Sequence, residues 1–229
     1  MNLLKHLFIL SFFFSVSLTA CAQQSEKAKG PENEANLYMN RANVDRLIDA
    51  FDSPERAIWQ KPQEVIALFG ELEGKAIMDL GAGSGYFSFR LANYGAHVIA
   101  ADVNDEFQQS IRKKLEEDEF KHLQKNIELR KVPYDNPGLQ PGEVDGILIV
   151  NTYHHLDDRI NYMKKALPGL KKGGKIIIVD YKTGVSFGPP ESHKLSLTDA
   201  ANEMLNVGFS RLIIDVSMLE RQYVIIGEK

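Results

Sequence analysis

The chain has 229 residues, 44% hydrophobic and 25% charged, a composition ordinary for a soluble globular protein. That length suits one α/β domain with small additions and is ample for a real core. The net charge of −4 offers no basic excess to neutralise phosphates, which argues against DNA or RNA as a partner.

In chain order, the first object is a targeting segment. Lys5 and His6 precede a run from Leu7 to Leu18 rich in Leu, Phe, Ile and Val, and small residues follow. This charged-then-apolar pattern predicts a secretory signal over residues 1–20, too short for a comfortable membrane span. It closes on Leu18-Thr19-Ala20-Cys21, which resembles the lipobox of bacterial lipoproteins. The resemblance implies cleavage before Cys21, diacylglyceryl modification of its thiol, and an exported protein anchored to a membrane of the bacterial cell envelope. An uncleaved anchor and an ordinary cleaved signal are the alternatives. Cys21 is the only cysteine, so no internal disulfide can form. Residues 21–36 are polar, with Gly30 and Pro31, and read as a flexible tether.

From residue 37 to 70 the pattern is helical. Val44, Leu47, Ile48 and Phe51 share a helix face, Pro54 opens a short helix ending near Trp59, and Pro62 starts a third with Val65, Ile66 and Phe69 inward. Helices in this position cover a sheet edge or lid a pocket. Residues 71–229 then alternate strand and helix, which predicts a mostly parallel sheet with helices on both faces. Strands are expected at 75–80, 97–102, 126–131, 144–151, 174–181, 210–217 and 221–228, and helices at 84–94, 104–119, 157–167 and 196–207. A tight turn near Leu219–Arg221 makes the last two strands an antiparallel hairpin. The mixed-charge run Arg112–Lys121 is a solvated helix face.

The most informative stretch is Ala76–Ala92, AIMDLGAGSGYFSFRLA: a buried strand, a glycine turn, then a helix. Such a turn brings main-chain N–H groups and a helix N-terminus up to a small ligand. Its spacing is D-x-G-x-G-x-G, led by Asp79. An acid at that mouth is an unusual neighbour for a pyrophosphate and suits an ammonium or sulfonium group. Here the chain resembles class I S-adenosylmethionine-dependent methyltransferases, over roughly residues 55–229. The resemblance implies a seven-stranded Rossmann-like sheet closing in a hairpin, S-adenosylmethionine as cofactor, and transfer of its methyl group to an acceptor.

The resemblance also implies roles for particular residues. Gly81, Ala82, Gly83 and Gly85 shape the loop under the methionine part of the cofactor, and Asp79 favours its ammonium or else caps the following helix. Tyr86 contacts the cofactor or packs. Asp102, ending the strand HVIAAD 17 residues after Gly85, accepts from a ribose diol, with Val103 against the adenine. Asp135, in the loop Val132–Pro137, flanks the adenine amine or makes a plain turn. The fourth strand runs into Asn151-Thr152-Tyr153-His154-His155-Leu156, similar to the Y-H-H-[LF] form of some bacterial methyltransferases. Asn151 and Thr152 border the sulfonium, while Tyr153, His154 and His155 face the acceptor.

A histidine titrating near neutral pH can take a proton from a hydroxyl or amine. His193, in the long loop after Tyr181, is a further candidate, and which histidine serves is open. Leu170–Asp180 carries Lys172 where the resembled family has proline in its L-K-P-G-G turn. Adjacent histidines without a spaced ligand set do not predict a metal. The acceptor is expected to be a small molecule, since no basic groove is evident. A non-catalytic cofactor-binding module and a nicotinamide oxidoreductase are the rival readings, the latter opposed by Asp79 and the terminal hairpin. The expected export stands in tension with a cofactor made in the cytoplasm.

Overall fold

In a computed structural model that describes residues 34–229, seven strands form one sheet: β1 (Ala76–Leu80), β2 (His97–Asp102), β3 (Ile127–Lys131), β4 (Val144–Val150), β5 (Leu170–Tyr181), β6 (Arg211–Asp215) and β7 (Gln222–Glu228). Their order is β3-β2-β1-β4-β5-β7-β6. The pairs β1–β2, β1–β4, β2–β3 and β4–β5 are parallel, and β7 runs antiparallel between β5 and β6. This is the mostly parallel sheet with a C-terminal antiparallel hairpin that the sequence predicts.

Consecutive aliphatics explain how both faces become core. Along β4, Ile147 and Ile149 pack on one face while Leu148 and Val150 pack on the other, and β5 repeats the alternation from Ile176 to Val179. With side chains alternating at a period of two, an unbroken apolar run means a strand covered on both sides. The coverings are α5 (Tyr86–Asn93) and α6 (Asp105–Glu116) on one face, and α7 (Arg159–Ala166) and α8 (Leu197–Leu205) on the other. Asn104, Asp158 and Ser196 cap α6, α7 and α8 by accepting from backbone N–H groups of their first turns.

Four short helices precede the sheet: α1 (Glu34–Arg41), α2 (Val44–Phe51), α3 (Arg56–Gln60) and α4 (Pro62–Ala67). The predicted signal peptide, Cys21 and the tether through residue 33 lie outside the described residues. The last three tether positions are corrected: Glu34, Ala35 and Asn36 are helical, and Asn36 is buried because its side-chain amide donates to the His155 carbonyl at 2.7 Å. Among the described residues no helix is long and apolar enough to cross a membrane.

Two strand boundaries also differ from expectation. β5 begins at Leu170, so the expected turn LKKGG is a bulge within the strand, where Gly173 and Gly174 exchange backbone hydrogen bonds with Lys229. β6 ends at Asp215 rather than residue 217. Its carboxylate accepts from the Ser217 and Met218 N–H groups and rolls the chain into a six-residue link, 216–221, in place of a tight turn.

Tyr153 belongs to this framework. Its ring is fully buried in the cluster beneath α7 and α8, and its hydroxyl donates to Glu203 at 3.0 Å, while Glu203 also takes both arms of Arg159. The acceptor-facing role expected for it is corrected to a packing one. Burial raises its phenol far above the ordinary range. Tyr153→Phe should therefore lower stability by about 1–2 kcal/mol in urea unfolding and leave ligand binding unchanged. An unaltered urea midpoint would remove the hydroxyl from the stability of the fold.

Candidate active site

The sheet order reverses around β1, and the C-terminal ends of β1, β2, β4 and β5 open on a cavity of about 360 Å³. Its floor is the loop after β1. Gly81 has φ +80°, and its N–H donates to the Ala101 carbonyl at 2.8 Å. A Cβ there would lie 2.3 Å from the Thr152 hydroxyl oxygen, so only glycine lets this loop stack on the turn after β4. That turn holds Asn151 at φ +55°, a conformation that costs energy in a non-glycine residue. The fully buried Gln222 offsets it by donating to the Asn151 side-chain oxygen.

Asp102 ends β2 at the cavity wall. Its two oxygens accept the Gly83 and Asn104 N–H groups at 2.9 Å each, which pins the glycine loop to β2. Burial raises its carboxyl, opposed by these N–H groups. An ionised carboxylate has about four acceptor sites, so two remain for a vicinal diol. Val103, Phe107, Val132, Leu156 and Tyr162 add an apolar slot beside it.

His154 sits at the other end. Asp180, at the end of β5 and 1% exposed, accepts from the His154 backbone N–H at 3.0 Å, from the Tyr181 N–H at 2.8 Å, and from His154 Nδ1 at 2.8 Å. With Nδ1 held by the carboxylate, Nε2 is the acceptor nitrogen, and it has no partner among the described residues. His155 stacks on His154 with ring centroids 4.2 Å apart. Burial, and next the His154 charge, push His155 down to about 3, so its ring is neutral at physiological pH and a weak base.

Gly81, Ala82, Gly83, Tyr86, Asp102, Val103, Asn151, Thr152, His154 and His155 all line this cavity. Other candidates sit elsewhere. Gly85 packs beneath the loop against Phe89 and Ile111. Asp135 is exposed and 3.5 Å from Lys165, leaving Val132 and Tyr134 as the lining residues of its loop. His193 lies 3.9 Å from Glu34 and borders a second cavity that it shares with His154.

Asp79 does not line the cavity. Its carboxylate accepts from the Ser88 hydroxyl at 2.6 Å, which joins β1 to α5. Among the described residues, no group of three or more His, Cys, Asp or Glu is placed to hold a metal.

Several wall residues carry no motif: Asn36 and Met39 on α1, Arg56 and Trp59 on α3, and Tyr181 after β5. The Trp59 ring stands 6.5 Å from Tyr181 and 4.9 Å from Phe187. Among the described residues, Asp102 is the only acid and Arg56 the only guanidinium lining the cavity.

Comparison with known proteins agrees with this geometry. Residues 78–178 match a family described as a methyltransferase domain. The fold is that of a solved S-adenosylmethionine-dependent methyltransferase from Aquifex aeolicus, with a TM-score of 0.73 and 23% identity over 82% of this chain and 99% of that one. Over residues 78–178 the chain is thus similar to a methyltransferase domain, on a fold it shares with an S-adenosylmethionine-dependent methyltransferase.

Among curated relatives, the tRNA U34 carboxymethyltransferase of Pseudomonas fluorescens is 30% identical over 131 residues, 56% of this chain and 38% of the relative. The demethylmenaquinone methyltransferase of Clavibacter sepedonicus is 31% identical over 113 residues, 48% and 42% respectively. The chain spans less than half the length of either relative. The residues present fit the cofactor. Asp102 retains acceptor sites, Gly81 has no room for a side chain, and the buried Tyr86 hydroxyl lacks a partner among the described residues.

The two buried acids have separable effects. Asp102→Ala should weaken S-adenosylmethionine binding by about 1–3 kcal/mol in calorimetric titration. An unchanged affinity in a folded variant would end the ribose assignment. Asp79 acts on stability instead, because its carboxyl is raised to about 6, chiefly by burial. The folded state holds this proton more tightly than the unfolded chain, so the group favours folding below about pH 4. That contribution is lost as pH rises through about 6, a swing of about 3 kcal/mol. Asp79→Asn should remove this component, so the variant gains on the wild type between about pH 4 and 8 in urea unfolding. Parallel pH profiles would contradict it.

Proposed function

We propose that this protein transfers the methyl group of S-adenosylmethionine to a hydroxyl of a small acceptor, with His154 as general base. The observation that carries this reading is the His154–Asp180 pair beside a cavity floored by the glycine loop. Bound S-adenosylmethionine supplies an electrophilic methyl on a sulfonium, open to in-line displacement. Asp102 and the glycine loop hold its adenosyl part, and Trp59, Tyr181 and the helices α1–α3 orient the acceptor and exclude water.

His154 Nε2 takes the hydroxyl proton. Asp180 fixes the tautomer and stabilises the imidazolium that forms, an arrangement familiar from other His–Asp pairs. His155, held neutral, keeps a second positive charge away from that imidazolium.

Among the described residues the cavity wall has no carboxylate but Asp102, which favours a hydroxyl over a cationic amine in need of a counter-charge. Several curated relatives are named for tRNA, yet a net charge of −4 favours a small acceptor here. The Leu18–Cys21 pattern supports export and lipid anchoring at Cys21, in which case cofactor and acceptor meet in the envelope. A non-catalytic module that binds the cofactor is the second reading, favoured by the tension between export and cofactor supply.

The test is a titration of the full chain with S-adenosylmethionine and, in parallel, NAD, followed by an acceptor screen with phenols and enols. Saturable binding of the first ligand alone is expected. His154→Ala should keep that binding and slow transfer by about 10²–10⁴-fold, with the loss reduced at high pH where the acceptor ionises unaided. Equal rates for the variant and the wild type would exclude His154 as the base.

A further inference from the structure

Arg56 is only 8% exposed, yet no carboxylate among the described residues lies within ion-pair distance of its guanidinium. The acids whose charge reaches it, Asp79 and Asp52, are held by other partners: Asp79 by Ser88, and Asp52 by Ser84 and Lys114. Arg56 spends two donors on the protein. Its Nε donates to Gln60 Oε1 at 3.0 Å and its Nη1 to the Phe51 carbonyl at 2.8 Å. Nη2 has no partner among the described residues.

The guanidinium carbon lies 4.1 Å from the Tyr86 ring centroid, and Arg90 covers the same ring at 3.6 Å. Tyr86 is 4% exposed, and its hydroxyl is buried with no hydrogen-bond partner among the described residues. A buried cation without an anion and a buried hydroxyl without an acceptor are each costly. Here both belong to residues that line the same cavity. Tyr86 is also the first residue of α5, where unpaired backbone N–H groups add positive potential.

The guanidinium is not free to swing away. Gln60 passes its own amide to Gln222, and Gln222 to Asn151, so a buried chain of side-chain amides ties Arg56 to the strained turn after β4. Such preorganised donors suit a planar anion that can take a guanidinium and a phenol together.

We propose that Arg56 and Tyr86 form a receptor for a carboxylate of a bound small molecule. The inference rests on the methyl-transfer reading of the cavity. The carboxylate has two possible sources, the amino-acid end of the cofactor or an acid group on the acceptor.

Calorimetric titrations of the full chain separate the sources. The probes are S-adenosylhomocysteine, 5′-methylthioadenosine, which lacks the amino-acid end, and benzoate, added to the chain alone and to the chain saturated with S-adenosylhomocysteine. A cofactor carboxylate predicts that the wild type binds S-adenosylhomocysteine at least about tenfold more tightly than methylthioadenosine. Arg56→Met and Tyr86→Phe should then shrink that ratio while methylthioadenosine affinity holds. An acceptor carboxylate predicts an unchanged ratio and benzoate binding that both variants lose.

If neither the ratio nor benzoate binding responds to either substitution, the receptor is overturned. Tyr86→Phe removes one oxygen without changing shape, so the outcome does not depend on Arg56→Met folding. A wild type that binds neither adenosyl compound refutes the methyl-transfer reading. Benzoate on the chain alone then decides the receptor: binding lost in the variants supports it, and its absence from the wild type overturns it.

Discussion

The approach of Gly81 to Thr152 is the constraint on which the site depends. A loop after β1 and a turn after β4 share one layer only because residue 81 has no side chain. Every other placement follows from that stacking. The loop is pinned laterally to β2 through Ala101 and Asp102, and the turn is pinned to β7 through Gln222. The strain at Asn151, on the order of 1–3 kcal/mol for such a backbone, persists because buried amides over-determine it. The cavity floor is thus rigid before any ligand arrives, which lowers the ordering cost of binding.

Electrostatics divide the cavity into ends of different character. Asp102 supplies negative charge at the β2 end, and Arg56 supplies positive charge above the start of α5. Between them lie neutral aromatic surfaces and the His154 ring. Asp180 is nearly inaccessible, and its three N–H donors offset a desolvation cost that would otherwise be several kcal/mol. An acid so enclosed serves the imidazole beside it rather than a ligand.

The sheet was legible because its strands are covered on both faces and therefore read as unbroken aliphatic runs, as in Ile176–Val179. The glycine loop and Asp102 were legible because their chemistry is tied to strand ends. The irregular turn after β4 was not. Period alone cannot say that, of three adjacent residues, Tyr153 enters the core, His154 meets an acid 26 positions away, and His155 stacks on its neighbour. Asp79 led the motif, yet its side chain sits on the face covered by α5, where the Ser88 hydroxyl donates to it. Arg56, Gln60 and Gln222 carried no local signal, because their meaning arises only where α3 touches β7. The start of α1 was hidden in a polar stretch whose inward side chain, Asn36, is itself polar.

The segment matched as a methyltransferase domain, residues 78–178, has its own consequence. It contains the glycine loop, Asp102, the apolar slot and His154, but neither Asp180 nor Arg56, Trp59, Tyr181 or the α1 wall. The cavity floor with His154 and the walls from α1, α3 and Tyr181 thus come from separate stretches of chain. What the chain shares with the matched family is the floor of the cavity, whereas the walls set by α1, α3 and Tyr181 lie outside that segment.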